Sequence, residues 1–198
     1  MSDNLSHDRP NTWIYRLAHT VVSSYFRLFY RIRVEGLENV PRRGGVILAS
    51  NHLSNFDPPL IGIVVPRYIR FMGKAELFSL RPIAKLFSSL GGFPIHRGKI
   101  DRQAIRTAID IVQTGGCLVM FPEGHRSRTG ELGELMPGIL SIAKKSGGLV
   151  VPTAIVGRYR MFGSLTVKFG SPIAPEEFSS EDGLDRLAAS LRNLIAAG

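Results

Sequence analysis

Ser50-Asn51-His52-Leu53-Ser54-Asn55-Phe56-Asp57-Pro58-Pro59 follows directly on the apolar run Val46-Ile47-Leu48-Ala49. That run is short, rich in branched side chains and preceded by Gly44-Gly45, the pattern of a buried strand. The two prolines predict a helix start, with Asp57 as N-cap and Pro58 at the first helical position. His52 then falls on the turn after a strand, and Asp57 at the mouth of the next helix. In open α/β sheets that edge is where ligands bind. Two readings of the pair stand side by side. One is a helix cap with a solvated turn histidine. The other is a dyad, in which the acid bonds one imidazole nitrogen and leaves the other as a base. Five residues along a continuous helix would turn about 140° and point the side chains apart. A strand-turn-helix brings them together.

Outward from this stretch, short apolar runs alternate with helical patterns. Strands are expected at 68–72, 93–96, 117–121, 149–156 and 165–169, and helices at 60–65, 75–90, 101–112, 139–145 and 184–196. Asp101 is the expected cap of the third of these helices. Pro152 inside an apolar run predicts an edge strand or a bulge. The alternation predicts an α/β fold with a largely parallel central sheet flanked by helices. Residues 1–10 are polar, carry no signal-peptide pattern and are expected to be disordered. Residues 11–33 are expected to form an amphipathic helix, with Ile14, Leu17, Val21, Tyr25, Leu28 and Ile32 on one stripe. Arg16, Arg27 and Arg31 fall on its far side. With Trp13, Tyr15 and Tyr30, this is the composition of a helix lying on a membrane surface. A helix packed on its own core has the same periodicity. Residues 34–198 would form one domain.

The 198 residues carry 25 Lys and Arg against 16 Asp and Glu, a net charge of +9. The excess lies in the first half: 14 basic against 6 acidic residues over 1–100, and 11 against 10 over 101–198. Nineteen of the basic residues are Arg, the better bidentate phosphate ligand. Anionic partners follow: a membrane, a phosphorylated small molecule or a nucleic acid. No run of 18 apolar residues predicts a spanning helix. The single Cys117 allows no internal disulfide and reads as an inert core thiol.

Three more polar clusters sit at strand ends. Gly91-Gly92-Phe93-Pro94-Ile95-His96-Arg97 places Arg97 beyond a strand, near Lys99 and Arg102. Phe121-Pro122-Glu123-Gly124-His125-Arg126-Ser127-Arg128 runs from a buried strand into an acid, a glycine and two arginines. Arg126 and Arg128 suit a phosphate, and Glu123 suits an arginine or a substrate hydroxyl. Val151-Pro152-Thr153-Ala154-Ile155 is the last. No Gly-x-Ser-x-Gly elbow or phosphate loop is present. If His52 is a base, the nucleophile it activates is the substrate rather than the protein.

Together the four clusters resemble the lysophosphatidic acid acyltransferases, or glycerolipid acyltransferases. Residues 51–57 match Asn-His-x-Ser-x-x-Asp, and Gly91, Ile95 and Arg97 match Gly-x-x-x-Ile-x-Arg. Residues 121–127 match Phe-Pro-Glu-Gly-Thr-Arg-Ser except at His125. Residues 151–155 match the Val-Pro motif, and 169–173 match Phe-Gly-x-Pro-Ile. The likeness runs in family order over about residues 30–175.

The resemblance implies His52 as the base that deprotonates an acceptor hydroxyl, oriented by Asp57. Acyl-CoA or acyl carrier protein would be the co-substrate donor, with no metal or prosthetic group. Lys74 would sit near the oxyanion or the donor. Arg97, Glu123, Gly124 and Arg126 would bind the glycerol-phosphate of a lysophospholipid acceptor. The product would be phosphatidic acid, made on the cytoplasmic face of an anionic membrane. The alternatives are another acceptor for the same chemistry, or a nucleic-acid-binding protein. The latter leaves the polar strand ends without a purpose. Three positions depart from the family's usual residues: His125, Pro94, and Pro137 where a Lys often precedes Gly138.

Overall fold

The computed structural model describes residues 13–197 apart from Arg97, Lys99, Arg128, Ser180 and Glu181. The predicted disorder of residues 1–10 therefore lies outside the described residues. Seven strands form one sheet: β1 Arg31–Glu35, β2 Val46–Ser50, β3 Ile69–Lys74, β4 Gly92–Ile95, β5 Cys117–Met120, β6 Leu149–Gly157 and β7 Ser164–Phe169. Their order across the sheet is β1-β7-β6-β2-β5-β3-β4. Every neighbouring pair is parallel except β6 and β7. Among the described residues six α-helices cover it: α1 Trp13–Phe29, α2 Asp57–Val64, α3 Arg81–Ser89, α4 Arg102–Gln113, α5 Gly138–Ser146 and α6 Gly183–Ala196.

β2 is central, and its apolar run is buried on both faces, as parallel strands under helices must be. Val46 and Leu48 join a cluster with Phe26 of α1 and Leu60 and Ile61 of α2. Ile47 and Ala49 join the opposite cluster, with Ala104, Ala108 and Ile111 of α4, Ile139 and Ile142 of α5, and Leu187 and Leu191 of α6. Successive strand side chains point to opposite faces, so one run of four residues serves both cores.

The expected helix over 11–33 is shorter: α1 ends at Phe29, and Arg31–Glu35 is an edge strand paired with β7. The alternation Arg31-Ile32-Arg33-Val34-Glu35 has period two, and parallel pairing with Ser164–Lys168 satisfies a backbone that a further helical turn would have left at the sheet edge. Arg31 and Ile32 therefore do not belong to the helical stripe. The helix expected over 75–90 is also interrupted. A 3₁₀ turn, Ala75–Phe78, precedes α3, which restarts with Pro82 in its first turn. Proline has no N–H to give and fits only there.

Pro152 is not on an edge strand. β6 lies between β7 and β2. Val150 and Pro152 turn their backbone polar groups toward the β7 side, where Pro152 O accepts from Gly170 N and Val150 exchanges bonds with Ile173. The paired stretch of β7 stops at Phe169. The proline nitrogen thus meets the bend between two pairings, where no ladder donor is required.

At the opposite, amino-terminal edge, Arg67 is buried and donates to three carbonyls, Pro41 O, Gly44 O and Gly115 O, at 2.6–2.8 Å. It ties the loops leading into β2 and β5. Cys117 beside it is fully buried, and burial pushes its thiol up to about 12. It stays a thiol, as expected of a core residue.

Candidate active site at the carboxyl edge of the sheet

Three of the four polar clusters lie at the carboxyl ends of parallel strands: His52 follows β2, His96 follows β4, and Glu123 to Arg126 follow β5. The fourth, Val151–Ile155, was expected at a strand end but lies inside β6, where its backbone pairs on both sides. Lys74, which ends β3, and Tyr159, which follows β6, complete the same edge. At the usual spacing of about 4.8 Å between strands, β3 lies about 10 Å from β2, and β4 about 14 Å.

His52 and Asp57 meet. His52 Nδ1 is 2.7 Å from Asp57 Oδ2, with the carboxyl group fully buried. A carboxylate only accepts, so the proton of this bond lies on Nδ1 and the lone pair is left on Nε2. The imidazole stacks on Phe121, with ring centroids 4.1 Å apart and an interplanar angle of 23°. Two contacts therefore fix the ring, one in its plane and one on its face.

Asp57 is not the cap predicted from its proline neighbours. Phe56 occupies the N-cap position and Asp57 is the first residue of α2. Its carboxylate instead closes the preceding turn. Oδ2 accepts from Leu53 N at 2.6 Å and Ser54 N at 2.8 Å, and Oδ1 accepts from the Tyr159 hydroxyl at 2.6 Å. With His52 this makes four donors on one buried carboxylate. Such an array holds a charge that would otherwise be expensive to bury. The dyad and the capping role were set against each other in the sequence; the carboxylate forms the dyad and caps a turn rather than a helix.

Tyr159 was not singled out in the sequence. Burial first, and the charge of Asp57 second, hold its phenol well above the ordinary tyrosine range. It remains a donor. Its one sequence signal is position, two residues past the end of a strand whose register brings it beside β2.

Asn51 was matched only as part of a motif. Its side-chain amide accepts from Ile155 N at 2.8 Å and donates to Ile155 O at 3.0 Å. It imitates one more residue of β-ladder and continues the β2–β6 pairing past Ser50. His52 thereby leaves the sheet at a defined point.

Glu123 is 2% exposed, and both its oxygens are occupied. Oε1 accepts from His52 N and Oε2 from Gly133 N, each at 2.9 Å. Ser127 N donates to His52 O at 2.7 Å. The loop after β5 thus grips the backbone of His52 on both sides. Gly124 makes this possible with φ 70°, a left-handed turn that a side chain rarely adopts. Gly124, His125 and Arg126 are exposed beyond it, and Lys74 is exposed at the end of β3. Arg97 lies outside the described residues. Among the described residues no group of three His, Cys, Asp or Glu side chains is placed to hold a metal.

The outward face of α1 reaches this site. Trp13, Leu17, Val21 and Leu28 are 56–72% exposed. The helix packs on the core through a different face, with Tyr15 and Phe26 buried. Most of the predicted stripe is therefore what α1 shows to solvent. Tyr25 at its edge stacks on Phe56, with ring centroids 6.0 Å apart, and Phe56 lies in the His52–Asp57 turn. Among the described residues no helix is long and apolar enough to cross a membrane.

The chain is similar to known proteins in sequence and in fold. The chain is 31% identical over 132 residues to the chloroplastic 1-acyl-sn-glycerol-3-phosphate acyltransferase LPAT1 of Arabidopsis thaliana, covering 65% of this chain and 37% of that protein. It is 29% identical over 164 residues to the 1-acyl-sn-glycerol-3-phosphate acyltransferase of Bacillus subtilis, covering 80% of this chain and 81% of that one. The crystal structure of the 1-acyl-sn-glycerophosphate acyltransferase PlsC from Thermotoga maritima superposes with a TM-score of 0.79 at 29% identity, over 92% of this chain and 78% of that chain. The acyltransferase family model matches residues 31–156, from the edge strand β1 to the end of β6. That span takes in the dyad, the loop that grips His52 and the strand that Asn51 extends, and by it the chain belongs to the acyltransferase family.

Proposed function

We propose that this chain transfers an acyl group from acyl-CoA or acyl carrier protein to the sn-2 hydroxyl of 1-acyl-glycerol-3-phosphate, giving phosphatidic acid. The observation that carries the reading is the 2.7 Å contact between His52 Nδ1 and the buried carboxylate of Asp57 at the carboxyl edge of the sheet. Nε2 takes the proton of the acceptor hydroxyl, and the oxygen attacks the thioester carbonyl. The tetrahedral intermediate collapses by expelling the thiolate, which receives the proton from the imidazolium. Asp57 and the Phe121 ring hold the imidazole through both transfers. Protons and electrons balance without a metal or prosthetic group.

Arg97 and Arg126 bind the acceptor phosphate, and the exposed turn at Gly124 lets backbone approach it closely. Glu123 acts through His52 rather than on the head group, since both its oxygens already accept from backbone N–H groups. Lys74 faces the developing oxyanion or the donor. The exposed stripe of α1, flanked by Arg16 and Arg27, lies in an anionic leaflet on the cytoplasmic face. Tyr25 and Phe56 then line the passage from lipid to base.

The test is transfer of labelled acyl groups by the purified chain to 1-acyl-glycerol-3-phosphate, 1-acyl-glycerophosphocholine and glycerol-3-phosphate. The first is expected to be acylated at least tenfold faster, because it alone offers both a phosphomonoester and an acyl anchor. Equal rates on the choline lipid would overturn the head-group assignment. No transfer to any of them would overturn the reaction.

Tyr159 is a positioning residue. Tyr159→Phe deletes the donor to Asp57 Oδ1 and leaves that oxygen of the buried carboxylate unpaired, which loosens the hold on the His52 ring. We expect kcat to fall about tenfold with KM unchanged and the fold intact. A drop confined to KM would place Tyr159 at the acceptor instead.

A further inference from the structure

Between β6 and β7 the chain turns through Arg158-Tyr159-Arg160-Met161-Phe162-Gly163. Phe162 has φ 63°, the only positive φ outside glycine among the described residues. A bulky aromatic is strained there, and strain of this kind persists only where the surroundings impose it. The base of the turn imposes it. A Cβ on Gly157, whose φ is 113°, would meet Ser164 O at 2.4 Å, and one on Gly163 would meet Arg160 O at 2.8 Å. The turn is closed tightly at its base, and at its tip Met161 and Phe162 stand 68% and 65% exposed.

The tip is fastened to α1. Phe162 N donates to Phe29 O at 2.7 Å, and the two rings lie 6.1 Å apart. Leu28, 67% exposed, is the preceding helix residue, so the apolar tip joins the end of the α1 stripe. Arg158 and Arg160 are exposed in the same turn, which contains no acid. Large apolar side chains held outward and flanked by arginines match a surface whose outer layer is anionic and whose next layer is hydrocarbon.

We infer that the β6–β7 turn is a second membrane-inserting element for anionic phospholipid. Met161 and Phe162 enter the acyl-chain boundary, and Arg158 and Arg160 contact headgroup phosphates. The inference rests on the proposed lipid contact of α1 and extends it to a separate part of the fold. It also has a geometric consequence. Tyr159, in the same rigid turn, bonds Asp57, so lipid contact at the tip sets the height of the dyad above the bilayer.

The experiment is co-flotation of the full chain with phosphatidylglycerol/phosphatidylcholine vesicles and with phosphatidylcholine alone. Wild type is compared with Met161→Ser/Phe162→Gly and with Leu17→Ser/Val21→Ser on α1. The turn variant is expected to lose about tenfold in partitioning onto the anionic vesicles, as loss of two apolar side chains from the lipid boundary requires. Its melting temperature is expected to hold or rise, because glycine at Phe162 removes the strain along with the ring. Wild-type partitioning by the turn variant, with loss in the α1 variant, would overturn the inference and leave the α1 reading standing. Absence of wild-type binding would overturn both. A concentration-dependent dimer that the turn variant abolishes, with vesicle binding unchanged, would make the tip a protein interface and also overturn it.

Discussion

His52→Ala is expected to lower the rate of acyl transfer about 10³-fold or more at saturating acceptor while the protein still folds. General-base catalysis contributes about 10²–10⁴-fold, and His96 is placed too far off to substitute. His96 sits at the end of β4, about 14 Å away across the sheet, and bonds its own aspartate, Asp101, at 2.9 Å. Asp101 also caps α4 through Gln103 N and Ala104 N. Stability should change little in His52→Ala. The His52 backbone keeps its bonds to Glu123 and Ser127, and Asp57 retains three of its four donors. The measurement is single-turnover transfer beside a thermal melt. Residual turnover within tenfold of wild type, with a native melt, would end the base assignment.

Glu123→Ala is expected to cost both stability and rate. It strands the buried N–H of His52, which costs about 1–3 kcal/mol, and the half-buried N–H of Gly133, which water can partly satisfy. A loss of about 1–4 kcal/mol by denaturant titration follows from the two together. The rate falls further because His52 loses one of the two backbone bonds that set it against the substrate. Glu123→Gln separates these effects. Its amide can satisfy one N–H but turns an NH₂ toward the other, so stability recovers in part while kcat stays low. If Glu123 bound the head group directly, both variants would raise KM and leave the melt unchanged.

Much of the fold follows from local chemistry. Val46-Ile47-Leu48-Ala49 could only be a strand buried on two faces, because no polar residue interrupts it and the chain is too short there for a helix. Asp101 before Arg102-Gln103-Ala104 is a cap on any backbone. The α/β architecture needed no more than the alternation of such runs. The end of α1 was not legible in the same way. Residues 13–29 and 31–35 both place apolar residues at intervals compatible with one helix, and only the presence of β7 as a partner makes Arg31–Glu35 a strand. Pro152 was misplaced for a related reason. Proline limits backbone donors, but which side of a strand needs donors depends on where the neighbour's ladder ends.

The site divides along the same line. The residue types, their order and the spacing of His52 and Asp57 were readable, because proton transfer and phosphate binding admit few side chains. Which acid served which partner was not. Asp57 and Glu123 are both carboxylates beside a histidine in the chain's polar clusters. The sheet register puts the side chain of one against the imidazole of His52 and the other against its backbone, 71 residues away in sequence. Tyr159 reaches Asp57 across 102 residues. The apolar period of α1 was written in its sequence, but its direction was not. Periodicity says that a helix has two faces, and only the packing of Tyr15 and Phe26 into the core turned the Trp13–Leu28 stripe outward. Local sequence chooses the backbone and the reactive groups. Burial, register and facing depend on contacts between distant segments, which form only once the chain has closed on itself.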